Sequence, residues 1–453
     1  MAEMTIPQNT VDLVIHGAHL LTVDPELGEI ANGLLIIDQG RLIEVAEYDA
    51  SVALPPARRT LNLSGRVITP GFVNVHTHTI LTMVRGVAED MGFAPAYTPG
   101  VPHGHDVTEE EAVALARLGA AEALLFGSTL INDSYVHTSL TLPAMGELGM
   151  RVNACGRLHD VDFSRVHEGV WEHHASIGEE CLKEAVELHE RWHNKMNGRL
   201  RTELSAHAPD TCSRELLTKI AELSDKLGIQ VNGHLSQSKM ENQRVQERDG
   251  MTPTELLAEV GILGPRFTAA HCMYVSDSDI LRIGSSRTNV AHVPRGNATG
   301  GRIAPTTRLR DSGANLALGT DNMHGDMVEV MRWALISGRL QEQEINDLWQ
   351  PHHVLHMATM GGACALGLET EIGSLTPGKK ADLVAFDFRR PHLVPRINTL
   401  GNLVHTAQGR DIEYVVCDGE ILVDNGELCT ADMPELLSRA QSAAESLWTR
   451  ARQ

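Results

Sequence analysis

Two different hydrophobic patterns follow one another along this chain and divide it into three parts. The first 65 or so residues carry short β-rich runs at 11–23, 33–46 and 59–65, separated by Gly, Pro and Asp. The tail repeats this style at 373–388 and 412–426, where VCDGEIL predicts a hairpin. Two β-rich ends around a different middle predict that the termini meet in one small β-domain.

The middle of the chain alternates short apolar strands with amphipathic helices. Helical patterns cover 109–126, 181–196 and 214–228, and strand-like runs such as TNVAHVP and NLALGTD stand between helices. Roughly eight such alternations over about 300 residues favour a parallel (β/α)8 barrel. A doubly wound sheet is the rival, but no GxGxxG motif follows an early strand.

Polar side chains stand at the C-terminal ends of several of these strands. FVNVHTH carries His76 and His78 two residues apart, which places both on one face of the strand end. QVNGHLS presents His234, RFTAAHC presents His271, and NLALGTD ends in Asp321. Since the strand ends of a barrel ring one mouth, where the active site lies, these groups are expected to converge around a metal ion.

Composition narrows the range of partners. The chain has 453 residues and a net charge of −21, and such an acidic protein repels phosphate backbones, so we expect a small-molecule substrate and no nucleic acid. Seven scattered cysteines without a CxxC pair favour reduced thiols and a cytoplasmic location. The N-terminus predicts no signal peptide, and no apolar stretch is long enough to predict a membrane span.

Several motifs together resemble the amidohydrolase superfamily: PGFVNVHTH, HAPDTC, HLSQS, AAHC, GTD and GSLTPGKKADLVAFD. They are most similar to its cytosine deaminase-like branch, which includes S-adenosylhomocysteine/methylthioadenosine deaminases and s-triazine hydrolases. The resemblance covers nearly the whole chain and implies an α/β fold, a distorted (β/α)8 TIM barrel with a small composite β-sandwich domain from both termini. We expect the barrel at 69–372, and the β-sandwich domain with a C-terminal helix at 1–68 and 373–453.

The resemblance also implies a homodimer or homotetramer and one set of metal ligands: His76, His78, His234 and Asp321. Three histidines and a carboxylate suit Zn²⁺ first and Fe²⁺ second. Binuclear relatives carry a carboxylated lysine on the fourth strand, and TELSAHAPD has no lysine, so one ion is expected. By the same resemblance Asp321 accepts the water proton, His271 polarises the attacked centre, and His207 hydrogen-bonds the substrate.

A first departure from the family pattern lies at Gln237, where deaminases of this branch carry a glutamate. An amide donates a hydrogen bond but cannot exchange a proton. Three interpretations stay open. Glu241 substitutes for the missing acid, or Asp321 and His271 carry the acid–base work, or Gln237 is an engineered change that traps substrate.

A second departure follows TMVRGVAED, which keeps the family-like Arg85. Relatives continue into a Trp-Leu helix, whereas this chain has the Pro- and Gly-rich MGFAPAYTPGVPHGHD. We expect a loop over the mouth, although a surface loop without substrate contact is the alternative. Its candidates for substrate contact are Phe93, Tyr97, His103 and His105.

The seventh-strand loop NVAHVPRGNATGGRIAPT places Asn297 where the family has a site asparagine. Arg295 and Arg302 are extra cations there, which either hold an anionic group of the substrate or remain solvated.

The leading hypothesis is therefore a metal-dependent hydrolase that cleaves a C–N bond of a small nitrogen heterocycle: an s-triazine, pyrimidine, purine or pterin. The alternative chemistry is hydrolytic displacement of halide or alkylamine from such a ring, or hydrolysis of an aryl urea or amide. An alternative of another class is a metal-free scaffold, which the four converging ligands argue against.

Overall fold

The computed structural model describes residues 9–91, 98, 100–322 and 324–452. The strands are β1 (Val11–Leu21), β2 (Glu29–Asp38), β3 (Arg41–Glu47), β4 (Ala57–Asn62), β5 (Arg66–Pro70), β6 (Phe72–Thr77), β7 (Ser128–Tyr135), β8 (Arg151–Leu158), β9 (Leu200–Thr202), β10 (Leu204–Ala206), β11 (Val231–Leu235), β12 (Phe267–His271), β13 (Asn289–His292), β14 (Asn315–Leu318), β15 (Leu383–Asp387), β16 (Ile412–Cys417), β17 (Glu420–Asp424) and β18 (Glu427–Leu428).

The helices alternate with the strands through the middle of the chain. They are α1 (Glu109–Leu125), α2 (Thr138–Gly146), α3 (Ala175–Trp192), the short α4 (Lys195–Gly198), α5 (Arg214–Leu227), α6 (Lys239–Asp249), α7 (Pro253–Glu259), α8 (Asp277–Ser285), α9 (Pro294–Thr299), α10 (Thr306–Asp311), α11 (Met327–Glu342), α12 (Pro351–Ala358), α13 (Met360–Ala365), α14 (Thr399–His405) and α15 (Met433–Ala451).

Parallel strands from β6 to β14 form the barrel, and they pair in chain order. The barrel closes where the end of β6 meets the chain after β14, since Thr77 bridges Asp321. The Asp321 N–H donates to the carbonyl of His76 at 2.9 Å, and the His78 N–H donates to the carbonyl of Asp321 at 3.2 Å. This arrangement confirms the predicted distorted (β/α)8 barrel. The barrel closes through His76, His78 and Asp321, which the sequence had named as candidate site residues.

The fourth barrel strand, in the stretch TELSAHAPD, is broken into two short strands. The break falls at Glu203, between β9 and β10. Its buried carboxylate accepts hydrogen bonds from the side-chain amides of Asn132 and Asn232, both at 3.1 Å, and from that of Asn153. Because an unpaired carboxylate inside a barrel is costly, these donors account for an ionisable group in the interior.

The predicted meeting of the two termini is confirmed by the second sheet. Its strand order is β18-β17-β16-β15-β5-β1-β2-β3, with β4 on β1, so the N-terminal and C-terminal strands join where β15 pairs with β5. Ile15, Leu35, Leu383 and Val416 from both halves share one buried core. The domain boundaries at 68 and 373 stay a prediction.

The C-terminal helix α15 packs against α1 of the barrel. The Trp448 indole N–H donates to the carbonyl of Met83 at 2.8 Å, and the Arg450 guanidinium pairs with Glu111 at 2.6 Å. The helix therefore ties the end of the chain to the barrel.

Among the described residues, no helix combines the length and the apolar character that crossing a bilayer would require.

Candidate active site

His76 and His78 lie at and just beyond the end of β6, where the barrel closes. The ring N–H at Nδ1 of His78 donates to the carbonyl of Ser134 at 2.5 Å, and because a carbonyl only accepts, this contact fixes the proton on Nδ1. Nε2 of His78 then keeps its lone pair. Nε2 of His76 is buried and has no hydrogen-bond partner among the described residues.

His234, near the end of β11, is oriented in the same way. Its Nδ1 donates to the carbonyl of His207 at 2.7 Å, so its Nε2 also keeps a lone pair. His207 follows β10, and its own Nδ1 donates to the hydroxyl of Thr211 at 2.8 Å, since that hydroxyl gives its proton to the carbonyl of Ala208. Backbone and hydroxyl acceptors therefore hold the imidazoles at the mouth in defined orientations.

These side chains converge. One ligand nitrogen from each of His76, His78 and His234 lies within 4.8 Å of the other two, and the same spacing joins His76, His271 and Asp321. Oδ1 of Asp321 lies 3.6 Å from Nε2 of His76 and 3.6 Å from Nε2 of His78. The structure thus brings together the residues that the sequence named as metal ligands.

Burial keeps these imidazoles neutral. Loss of solvation lowers the pKa of His78 to about 3, and neighbouring His76 adds to the drop. The pKa values of His76 and His234 are also held well below their ordinary value, mainly by burial. Neutral imidazole is the form that binds a metal ion.

Two site residues adopt a strained backbone conformation at the mouth. His271 has a φ of 72° and Asp321 a φ of 64°, both in the left-handed region that non-glycine residues rarely occupy. Such conformations cost of order 1–3 kcal/mol each and cluster at functional sites. They turn the chain at the strand ends so that both side chains reach the mouth.

His271 is held by Asn297. The Nδ1–H of His271 donates to Oδ1 of Asn297 at 3.0 Å, and both side chains are buried. The amide Nδ2 of Asn297 has no hydrogen-bond partner among the described residues. The pair therefore presents Nε2 of His271 as an acceptor and leaves an amide donor beside it.

A cavity of about 430 Å³ opens over the converged groups. Nine residues that the sequence named line its wall: His78, His207, His234, Gln237, His271, Arg295, Asn297, Arg302 and Asp321. This volume falls in the range of small-molecule sites.

Gln237 borders the cavity while Glu241 does not. The buried carboxylate of Glu241 instead accepts from the backbone N–H groups of Ser236 at 2.7 Å and Gln237 at 2.8 Å. Burial raises the pKa of Glu241 to about 8, and neighbouring Asp210 adds to the rise. Glu241 therefore positions the segment that carries Gln237 from behind the cavity wall.

Three other predicted contacts are not found at the described cavity wall. Arg85 is exposed and pairs with Glu122 on α1, and it does not line the cavity. Phe93 and Tyr97 lie outside the described residues.

The structure adds cavity residues that the sequence reasoning missed. Arg157 on β8 lines the wall, with its guanidinium 4.2 Å from the ring centroid of Phe163 and 5.2 Å from that of Tyr135. Glu89 also lines it, and it accepts from the N–H of Gly86 at 2.9 Å. The position of Arg157 near a strand end, the same signal that identified the histidines, would have found it.

The donor set fits a divalent metal ion. Three neutral imidazoles and one carboxylate match the ligands that zinc prefers, and the buried Nε2 of His76, without a hydrogen-bond partner among the described residues, is available to bind an ion. Zn²⁺ or Fe²⁺ would both suit this set.

The sequence matches the model of the "Amidohydrolase family" over residues 67–422. The chain is 32% identical to a 5'-deoxyadenosine deaminase of Methanosarcina acetivorans, an alignment that covers 97% of this chain and 99% of the relative. It is 33% identical to a 5-methylthioadenosine/S-adenosylhomocysteine deaminase of Moorella thermoacetica, over 90% of this chain and 94% of the relative.

Solved structures share the fold. An adenosine deaminase from Xanthomonas campestris with bound zinc superposes with a TM-score of 0.87 at 23% identity, over 98% of this chain and 100% of that one. An atrazine chlorohydrolase from Arthrobacter aurescens complexed with zinc gives 0.83 at 21% identity, over 95% and 100%. The chain therefore belongs to the amidohydrolase family and is a metal-dependent hydrolase that acts on non-peptide C–N bonds.

Proposed function

We propose that this protein is a zinc-dependent aminohydrolase that releases ammonia from the purine ring of an adenosine-like nucleoside. The carrying observation is the convergence of His76, His78 and His234 with Asp321 under a cavity of about 430 Å³. The names of the 5'-deoxyadenosine and 5-methylthioadenosine/S-adenosylhomocysteine deaminases support the purine nucleoside as substrate class.

In this proposal the metal ligands are His76, His78, His234 and Asp321. A divalent ion held by this set supplies Lewis acidity that lowers the pKa of a water molecule toward neutrality. The acceptors Ser134 and His207 hold two of the imidazoles so that Nε2 points inward. Their role is to preserve the geometry of the ligand set.

The remaining proton work falls to the residues at the cavity wall. Asp321 accepts the proton of the attacking water, and His271, fixed by Asn297, stabilises charge that develops at the attacked carbon. Water oxygen bonds to the carbon that carries the amino group, the C–N bond breaks, and the transferred proton leaves on ammonia. Gln237 donates a hydrogen bond to a ring nitrogen, and His207 contacts the ring.

A second candidate function is hydrolytic displacement of another group, such as halide or alkylamine, from a nitrogen-rich ring. The neutral side chain of Gln237 favours it, because halide needs no proton to depart. Of the residues described along the cavity, the carboxylates are Asp321 and Glu89, and Glu89 is already engaged with a backbone N–H.

A substrate panel separates the two candidates. The zinc-loaded protein is incubated with adenosine, 5'-deoxyadenosine, 5'-methylthioadenosine, S-adenosylhomocysteine and a chloro-s-triazine, and ammonia and chloride are both measured. We expect ammonia in equal amount to the nucleoside consumed. Consumption of the triazine with release of chloride, and no ammonia from any nucleoside, would instead establish the second candidate.

The variant Gln237→Glu tests the proton shuttle. A carboxylate at this position can exchange a proton, so we expect ammonia release to rise about tenfold. The control is Gln237→Met, which keeps the length of the side chain and removes the hydrogen bond. An unchanged or lower rate in Gln237→Glu would show that the mechanism works without a glutamate.

A further inference from the structure

A second group of metal-binding side chains lies outside the cavity, in the turn that precedes α1. His103, His105 and Asp106 each place one ligand atom within 4.8 Å of the other two. His103 and His105 do not line the described cavity. The group lies behind Tyr135, since a Cβ built on Gly104 would stand 3.2 Å from the Tyr135 hydroxyl.

The spacing of the group suits a tetrahedral ion. Nε2 of His105 lies 3.4 Å from Oδ1 of Asp106. Ligands about 2.0–2.1 Å from zinc in a tetrahedral site stand roughly 3.3 Å apart. The carboxylate already accepts from the N–H of His103 at 2.8 Å, which fixes its orientation and leaves further lone pairs for a cation.

His103 supplies the independent observation. Its side chain is only about one-tenth exposed. One ring N–H donates to the backbone of Thr98, while Nε2 is buried with no partner among the described residues. A buried polar atom without a partner costs about 1–3 kcal/mol. This is the same arrangement as at His78, where one nitrogen is anchored to a carbonyl and the other keeps its lone pair.

A third imidazole lies beside the group. The ring of His167 stacks on that of His103 with centroids 5.0 Å apart, and its buried Nδ1 also has no partner within the described part of the chain. The ligand atoms that lie within reach of one ion remain those of His103, His105 and Asp106, and two imidazoles with one carboxylate are a donor set for a late divalent metal.

We propose that His103, His105 and Asp106 bind a second divalent metal ion, of the zinc type, separate from the centre at the barrel mouth. The ion fixes the turn before α1, on which the ring of His167 stacks. It is a structural site, because its ligands lie outside the substrate cavity. This proposal does not depend on the reaction that the mouth performs.

The test counts metal ions in the full-length protein. Chelator-stripped protein is reloaded with ZnCl₂, dialysed, and analysed by inductively coupled plasma mass spectrometry. We expect about two zinc ions per chain in the wild type and about one in His103→Asn/His105→Asn. The matched control is His352→Asn/His353→Asn, which removes two neighbouring imidazoles from α12 and retains both ions.

A further variant keeps the two sites distinguishable. His78→Asn lowers the count by one at the mouth and leaves the cluster loaded. If the wild type binds one ion that the cluster variant loses and His78→Asn keeps, the mouth binds no ion, and only the proposed function is contradicted. If the wild type binds about one ion and His78→Asn loses it, the second site is overturned. Two ions in the cluster variant would also overturn it. Circular dichroism establishes whether each variant is folded. Where a variant unfolds when it is stripped of metal, the visible absorption of cobalt(II) added in place of zinc reports whether the cluster binds an ion.

Discussion

Two layers of polar residues fill the interior of the barrel, one directly above the other. The upper layer holds His76 and His234, and Asn74 and Asn232 stand two residues earlier on the same strands and therefore on the same face. In the lower layer the amide of Asn232 donates to Glu203, and that of Asn74 donates to Thr320 at 2.8 Å.

The difference between the layers lies in what remains unpaired. The amide N–H donors of the lower layer find acceptors, although the oxygens of Asn132 and Asn153 have no partner among the described residues. The upper layer keeps imidazole nitrogens with free lone pairs, held in place from behind. Hydrogen bonds between buried groups stabilise a fold, whereas an imidazole nitrogen with a free lone pair can bind a ligand. The lower layer is therefore expected to govern stability and the upper layer catalysis.

The largest effect is expected from breaking the upper layer. His78→Asn removes a nitrogen of the proposed metal-ligand set, so turnover should fall by at least about a thousandfold, equivalent to ~4 kcal/mol of activation free energy. The free energy of unfolding of the metal-free protein should change by less than about 1 kcal/mol, because no paired group in the core is lost beyond one bond to a carbonyl. Ammonia release and urea denaturation measure the two quantities. Retained turnover would remove His78 from the ligand set.

Breaking the lower layer should have the opposite signature. Glu203→Ala leaves the amide donors of Asn132, Asn153 and Asn232 without their acceptor. At about 1 kcal/mol or more for each buried donor, the protein should lose roughly 3 kcal/mol of stability. Glu203→Gln, which keeps one oxygen acceptor, is the milder control. A loss of turnover in folded Glu203→Gln as large as that in His78→Asn would mean that the layers are not separable.

A smaller change is expected at the support of the upper layer. Asn297→Ala deletes the acceptor that orients His271, and kcat/KM should fall about 10- to 100-fold while the zinc content stays unchanged. Steady-state kinetics and metal analysis measure the two. An effect under about twofold would assign the Asn297 contact to folding alone.

Glu241 is intermediate between the layers, since it is buried, accepts from two backbone N–H groups, and still holds a raised pKa. Its pKa of about 8 in the folded protein exceeds the value of about 4.3 in an unfolded chain. Between these values the folded state binds more protons than the unfolded state, so this group makes stability fall as the pH rises.

The variant Glu241→Gln should remove that slope. From pH 6 to pH 8 the wild type should lose about 2 kcal/mol more of unfolding free energy than the variant, as followed by urea denaturation at each pH. Parallel curves for the two proteins would show that the carboxyl does not titrate in this interval.

The sequence predicted the parts of the site that follow from strand position. His76, His234 and His271 were placed at the mouth because each stands at or next to the C-terminal end of a barrel strand. Glu241 could not be placed in the same way, because it lies on helix α6 and acts through the backbone N–H groups five and four residues before it. Arg85 was predicted to contact substrate because it stands in a family-like motif. Its side chain is long and exposed, and it pairs with Glu122 on α1 instead.

The backbone conformation of two site residues could not be predicted from the sequence either. The left-handed φ values of His271 and Asp321 run against the intrinsic preference of those residues. Tertiary contacts impose them, for example the hydrogen bond from the Asp321 N–H to the carbonyl of His76. A local pattern carries no information about such a contact, since it joins residues from the first and last barrel strands.

The closure of the barrel through His76 and Asp321 has a consequence for the life of the chain. His76 and His78 are synthesised some 240 residues before Asp321. The proposed set of four ligands is complete only after the eighth strand has docked beside the first. With the proposed ligands, metal binding at the mouth therefore marks a completed barrel, and a chain that ends before Asp321 lacks the fourth ligand.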